Sequence, residues 1–303
     1  MTIKTSNPAS AQVAVTAYPP LNMFANRGRR QLALVSKSAC TTFRLKTASA
    51  LTLAVLATLT GWGTTAFAQT AAAPAAAPTP DYTLTYNIGA VTDYRYRGIT
   101  QSRFDPALQG GVDFAHKSGF YLGAWASGIK WIKDAGATDG SLELDLYGGY
   151  KGSITKDLSY DVGYLRYQYV GNKLGDVPGF ANADTDEIYG ALTYGIFTAK
   201  YSSSLSNLFG TPDSKNSGYL DLSANFDLGS GWSVVPHVGH QWVNHNSALS
   251  YTDYALTLGK DFGNGLSASL ALVGTDASKT LYVAPDGRFT GRTGVVLGAK
   301  YSF

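Results

Sequence analysis

The sequence predicts an all-β chain, an antiparallel up-and-down barrel of about twelve strands. Three observations predict it. Apolar and polar residues alternate with period two through most of 82–303, as in a wall with two unlike faces. The connections between these segments switch regularly between short and long. The chain ends Val295-Val296-Leu297-Gly298-Ala299-Lys300-Tyr301-Ser302-Phe303, with one oily face, one wet face and a terminal aromatic. Together they are the pattern of a transmembrane barrel of the outer-membrane type, whose oily face meets lipid and whose end aromatics lie at headgroup level.

Residues 1–68 read as a signal peptide with an extended basic region. They carry Lys4, Arg27, Arg29, Arg30, Lys37, Arg44 and Lys46 and no Asp or Glu. The apolar run Ala48–Leu59 has 12 residues, too few to span a bilayer as a helix. Ala66-Phe67-Ala68 follows as a small-x-small cleavage signature. Arg29-Arg30 also matches the twin-arginine route, but that route suits folded cargo and a lipid-facing barrel must cross unfolded. Residues 69–80 form an Ala/Pro-rich linker, extended by composition, and 81–303 form the barrel. Residues 69–303 keep 17 of the 24 Lys/Arg and all 21 Asp/Glu, a formal balance of −4. The basic balance of the whole chain is therefore no argument for nucleic acid. Cys40, the single cysteine, leaves with the presequence, which excludes disulfides and thiol chemistry in the mature chain.

The strands are expected, in order, at 82–97, 106–115, 120–130, 141–151, 158–169, 186–194, 197–204, 218–228, 232–243, 252–262, 266–275 and 294–303. The first sets Tyr82, Leu84, Tyr86, Ile88, Tyr94 and Tyr96 against Thr83, Thr85, Asn87, Asp93, Arg95 and Arg97. The fourth sets Leu142, Leu144 and Leu146 against Glu143 and Asp145, the eighth Leu220, Leu222 and Phe226 against Asp221, Ser223 and Asp227. In the third and sixth both parities are apolar. Pro236 lies inside the ninth, where it removes a ladder hydrogen bond and suggests a bulge. Connections after even strands are short, such as Gly195-Ile196 and Gly263-Asn264-Gly265; those after odd strands are mostly longer, up to 276–293. Short periplasmic turns and long extracellular loops give this asymmetry, with both termini on the periplasmic side. A secreted β-sandwich would also alternate; the loop lengths and Phe303 favour the barrel.

Thr92-Asp93-Tyr94-Arg95-Tyr96-Arg97-Gly98-Ile99-Thr100-Gln101, the run Pro106–His116, Ser118–Ser127, Leu142–Tyr150 and Tyr160–Tyr164 carry a resemblance. Over about 81–303 the chain resembles the TorF-like porin family of proteobacterial outer-membrane proteins. The resemblance implies a barrel in the outer membrane of a Gram-negative bacterium and passage of solutes across it, without defining the substrate.

Asp93, Arg95, Arg97, Asp113, Glu143, Asp145, Asp161, Asp221, Asp253 and Lys300 share the inward parity. A charge on the lipid face costs about 2–4 kcal/mol near the midplane, so this sorting is forced. Two readings stay open: the charges line a pore and orient polar solutes, or they pair across a filled interior. Tyr82, Tyr94, Tyr96, Tyr160, Tyr164, Tyr301 and Phe303 read as aromatic girdles, the last two as part of a C-terminal signal. A sugar-stacking track needs aromatics at inward parity in consecutive strands, and only Tyr147, Tyr167 and Tyr169 qualify. His237 and His240 have opposite parity and cannot chelate one metal. Asp176, Asp184, Asp186 and Glu187 lack the spacing of a Ca²⁺ loop and read as a solvated acidic loop. His245-Asn246-Ser247 resembles the His-x-Ser of outer-membrane phospholipases but is followed by Ala248-Leu249 instead of Asn-Gly. No cofactor, metal or enzyme activity is expected.

The leading expectation is a porin-like channel for passive passage of small polar solutes or ions through a charged lumen. The alternative is a structural or adhesive barrel with partner-binding loops at 170–185 and 276–293 and no open pore. A lipid hydrolase built on Ser247 is the third. Expected partners are outer-membrane lipid, the barrel-assembly machinery acting on the C-terminal strand, and the solutes, with no nucleic acid.

Overall fold

The computed structural model describes residues 80–303; the expected signal peptide and all but the end of the expected linker lie outside the described residues. Twelve antiparallel strands close into a barrel. They are β1 Tyr82–Val91, β2 Ala107–His116, β3 Phe120–Gly128, β4 Leu142–Ser153, β5 Leu158–Val170 and β6 Thr185–Tyr194, then β7 Phe197–Ser204, β8 Gly218–Ala224 continued as Phe226–Gly229, β9 Trp232–Trp242, β10 Tyr251–Gly263, β11 Leu266–Thr275 and β12 Gly294–Ser302. Each strand pairs with its sequence neighbours, and β1 pairs with β12, Asn87 opposite Ser302 and Val91 opposite Gly298. Closure leaves no edge of unpaired backbone groups. Among the described residues helix is confined to Trp131–Asp134 and two three-residue turns. No helix among the described residues is long and apolar enough to cross a membrane, which says nothing of strands.

The alternation decides which side of each strand faces out. Leu84, Ile88, Leu122, Leu146, Val162, Ile188, Leu192, Leu222, Leu256, Leu270 and Leu297 point away from the barrel, 42 to 53% exposed. A water-facing surface does not carry a continuous aliphatic belt of this kind. The two strands of uncertain parity fall into line. In β3, Phe120 and Leu122 face out while Tyr121 and Trp125 face in; in β6, Ile188, Leu192 and Tyr194 face out while Tyr189 faces in.

Pro236 does not cause the expected bulge in β9. The β9–β10 register runs through it unbroken, with Pro236 opposite Leu256. The missing N–H tells on the other side. The β8–β9 ladder stops at Ser223–His237 and resumes in the same register at Phe226–Val234. Pro236 falls opposite Ala224, while the Asn225 N–H continues the β7–β8 ladder to the carbonyl of Ile196, 2.9 Å away. A ladder bond lost on one side thus splits β8 in two.

Glycine and tyrosine work as a pair on the inner wall. Gly123 lies opposite Tyr147, Gly149 opposite Tyr121 and Gly163 opposite Tyr189. A Cβ on Gly123 would stand 2.3 Å from the Tyr147 ring, and one on Gly163 2.6 Å from that of Tyr189. Each ring therefore lies across a glycine on the next strand. Gly149 has the least room to adjust, since the nearest atom to its Cβ would be a backbone one, the Val162 carbonyl oxygen at 2.4 Å, with the Tyr121 hydroxyl at 2.5 Å. Gly149→Ala should lower stability by about 1–3 kcal/mol, the usual cost of overpacking, read as a lower denaturant midpoint of the refolded barrel. An unchanged midpoint would reject this packing role.

Candidate functional site

The first strand ends sooner than its alternation suggests. β1 stops at Val91, and 92–106 leaves the wall and folds into the barrel. The physical reason is visible in the burial. Asp93, Tyr94, Arg95, Tyr96 and Arg97 are 6, 2, 6, 1 and 3% exposed, so both parities are buried and neither faces outward. Arg95–Tyr96 pairs with Ile99–Thr100 as a two-stranded ribbon. Its two-residue turn, Arg97-Gly98, has φ of 42° and 83°. Positive φ at both turn positions is the type I′ geometry that matches strand twist, and it is strained at a non-glycine residue.

The ribbon crosses the interior and touches the wall on several sides. The Tyr94 hydroxyl donates to Glu143 of β4 at 3.0 Å, and the Tyr94 ring packs edge-on to Trp125 of β3. Tyr96 meets Tyr167 of β5, their hydroxyls 2.8 Å apart. Arg97 reaches furthest. Its Nη2 donates to both carboxylate oxygens of Glu187 on β6, at 3.1 and 2.9 Å, and its Nη1 to Gln241 on β9 at 2.5 Å. The guanidinium lies 4.0 Å from the ring centre of Tyr219 on β8. At the tip, a Cβ on Gly98 would come within 2.3 Å of Thr275 and 2.9 Å of Asp253. Only glycine fits there, on grounds of both space and φ.

The remaining charges of this end are also internal. Arg95 pairs with Asp93 and donates to the carbonyls of Gly98 and Arg292 at 2.8 and 3.0 Å. His237 lies between Asp253 at 2.8 Å and Asp221 at 3.3 Å, and the Tyr219 hydroxyl donates to Asp253 at 3.0 Å. Over the ribbon the long connections form an apolar cap that buries Trp131, Ile132, Leu174, Leu208, Phe209 and Leu249. The rim is polar. Lys130 pairs with Asp105 there, and its hydrogen bond holds the Asp105 carboxyl below the ordinary carboxylate range.

The short-turn half differs. Asp113, Asp161, Asp221 and Lys300 are on the inner face but only half-buried. Tyr147 donates to Asp113 and Tyr121 to Asp161. The Lys200 ammonium stands 3.9 Å from the Tyr189 ring centre.

Several expectations are corrected. Tyr94 and Tyr96 belong to no girdle; they are buried in the ribbon. Asp93, Arg95, Arg97, Glu143, Asp145 and Asp253 are internal, yet at 0 to 6% exposure they do not border a water-filled path in this structure. The ribbon fills the space they surround. Inward tyrosines are more numerous than the three expected, since Tyr121, Tyr189, Tyr219 and Tyr251 join them. Tyr82, Tyr164, Tyr301 and Phe303 lie on the outer face, 41 to 64% exposed, and Tyr160 stacks on Tyr150. Asp184 and Asp186 are held by Arg166, so the acidic loop is paired as well as solvated. His245 pairs with Asp213 in an exposed loop. Glu187 and Gln241 were missed as partners of Arg97. In the sequence Glu187 sits among the loop acids and Gln241 carries no charge, and only their meeting at Arg97 marks them.

The family now follows. The profile of the Gcw_chp family, bacterial proteins of unknown function, matches residues 75–303. The chain belongs to that family. No curated protein matches the sequence. Among solved structures it is similar to the KdgM porin (8% identity, 73% of this chain and 98% of that one, TM-score 0.45). It is also similar to the NanC porin (10% identity, 73% and 99%, TM-score 0.45) and to an outer-membrane channel from Pseudomonas putida F1 (12% identity, 74% and 96%, TM-score 0.45). Likenesses this distant leave the function to be argued from the site.

Breaking the central ion pair tests that site. Arg97→Met leaves Glu187 buried without its cation and should cost about 3–5 kcal/mol. Arg97→Met combined with Glu187→Leu should regain most of that loss, read as denaturant midpoints of the refolded barrels. A single variant as stable as wild type would refute the pair as the anchor of the ribbon.

Proposed function

We propose that the chain is an outer-membrane channel for small polar solutes or ions, and that the segment 92–106 is its gate. The observation that carries this reading is a wall apolar outside and ionic inside, stoppered by a ribbon held through charged groups. Buried ion pairs add little net stability over an apolar fill of the same volume, so an ionic stopper is poorly explained as mere filling. Its contacts are of the kind that water can replace when the segment moves. Asp93, Arg95, Arg97, Glu143, Asp145 and Asp253 would then border the path, continuing the half-buried Asp113, Asp161, Asp221 and Lys300. The resemblance to TorF-like porins supports the same reading. It includes export by the signal peptide, assembly through the C-terminal strand by the barrel-assembly machinery, and residence in the outer membrane of a Gram-negative bacterium.

One observation favours a second reading, a closed barrel that presents its loops to an external partner. The cap over the ribbon is apolar and buries Trp131, Leu174 and Phe209, which suits a permanent seal.

Planar-bilayer recordings separate the two. Wild type should open rarely or in small steps, and replacing 93–104 by a short Gly/Ser linker should raise conductance at least several-fold. A deletion variant that inserts normally and stays ion-tight would reject the channel. The membrane assignment has its own check. Leu256→Arg, on the outer belt, should cost about 2–4 kcal/mol of stability in lipid vesicles. A wild-type barrel that stays monodisperse without detergent would sink the assignment.

A further inference from the structure

Of the Asp, Glu, Lys and Arg side chains carried by the twelve strands, Arg166, Asp186 and Lys260 lie at outward parity. Arg166 and Asp186 pair with each other near the long loops, at 3.0 Å. Lys260 lies at the other end of the wall, on β10 near the short turns and opposite the outward Trp232 of β9. It forms no ion pair with any described residue. Asp261, next in the chain, has inward parity and accepts the Gly263 N–H at 2.7 Å, and Asp227 accepts the Gly229 N–H at 2.8 Å. The Lys260 Nζ donates to the Ser230 carbonyl at 2.6 Å. It stands 5.2 Å from the ring centre of Trp232 and 5.7 Å from that of Phe262, close enough for both rings to attract the cation. An ammonium has three donors, so two remain for an occupant.

A second feature begins at the same point. Val234 and Leu258 are the next outward residues toward the long loops from Trp232 and Lys260. With Leu256, Leu270, Leu272 and Val295 they line a groove on the outer face. Every lining side chain is aliphatic. Beside Lys260 the outward positions of β11 and β12 are Ala268 and Ala299, whereas the next row carries Leu270 and Leu297. The surface is therefore recessed next to the ammonium.

A cation at the foot of an oily groove complements an anionic head on a hydrocarbon chain. We propose that Lys260 and this groove bind one anionic phospholipid of the leaflet on the short-turn side. Its phosphate would meet the ammonium and one acyl chain would lie against Val234, Leu258 and Leu270. The inference rests on the outer-membrane reading but not on whether the barrel conducts. A net negative head is favoured over a zwitterionic one, because the site offers no carboxylate to a choline or ethanolamine cation. Trp232 and Phe262 hold the ammonium at the level where aromatic girdles meet headgroups.

The test uses the whole mature barrel in detergent micelles, with phosphatidylglycerol and phosphatidylcholine as probes. Phosphatidylglycerol should bind several-fold tighter, read as the lipid concentration that raises the Tm. Lys260→Gln should abolish the preference and Lys260→Arg should keep it. Phosphatidylglycerol with brominated chains should quench tryptophan emission in wild type, and Trp232→Phe should lose most of that quenching. Equal binding of the two lipids by wild type would overturn the proposal, as would a preference that survives Lys260→Gln. A groove filled by a second copy of the chain would appear as a dimer by light scattering, unmoved by lipid, and would overturn it too. A barrel that needs detergent yet shows no lipid preference fails this site alone; one that stays monodisperse without detergent fails the membrane reading and the site with it.

Discussion

An aliphatic outer surface leaves the ionisable side chains of the wall one place to go, and the rest of this structure answers that constraint. Once β1 meets β12, outward positions of the belt are taken by Leu, Ile, Val and aromatics, and Asp, Glu, Lys and Arg of the mid-wall turn inward, while Arg166 and Asp186 pair on the outer parity near the long loops. Enclosed charges must then be neutralised at close range. The mouth does so with Arg97 against Glu187 and His237 against Asp253 and Asp221. The segment that carries Arg97 is thereby drawn into the barrel, because its guanidinium is the cation that Glu187 lacks.

The inner wall accommodates this through glycine. Gly123, Gly149 and Gly163 let tyrosine rings lie across the neighbouring strand, while at Gly98 the same absence of a side chain lets the ribbon reach Thr275 and Asp253. The two uses have different causes. On the wall, glycine makes room for a neighbour's ring at ordinary strand φ; at the ribbon tip it also supplies φ of 83°. The result is a barrel with unlike halves, half-buried polar groups near the short turns and a packed, ion-paired stopper under the long loops.

That stopper joins two interactions with opposite responses to water. The apolar cap over Trp131 and Phe209 resists wetting, whereas the ion pairs beneath it regain hydration that offsets their lost attraction when water reaches both partners together. The cap therefore sets how firmly the mouth is shut. The charged layer sets what a solute would meet once the ribbon moved aside.

The barrel itself was legible in the chain. A two-residue period, alternating loop lengths and Phe303 follow from local chemistry: a strand between lipid and interior must alternate, and that rule acts residue by residue. Strand ends and the parity of β3 and β6 were less legible, because Tyr121, Trp125 and Tyr189 are as apolar as the residues facing lipid. The site was half legible. Asp93, Arg95 and Arg97 alternate with Tyr94 and Tyr96 as a wall strand would, and nothing in the sequence distinguishes a wall strand from a ribbon buried on both faces. That distinction needs partners more than a hundred residues away in several cases: Gln241 for Arg97, Thr275 for Gly98, Arg292 for Arg95. The sequence by itself determined that charges go inside. Tertiary structure decided that the charged segment crosses the interior, because only a closed ring of strands brings those distant partners around one hairpin.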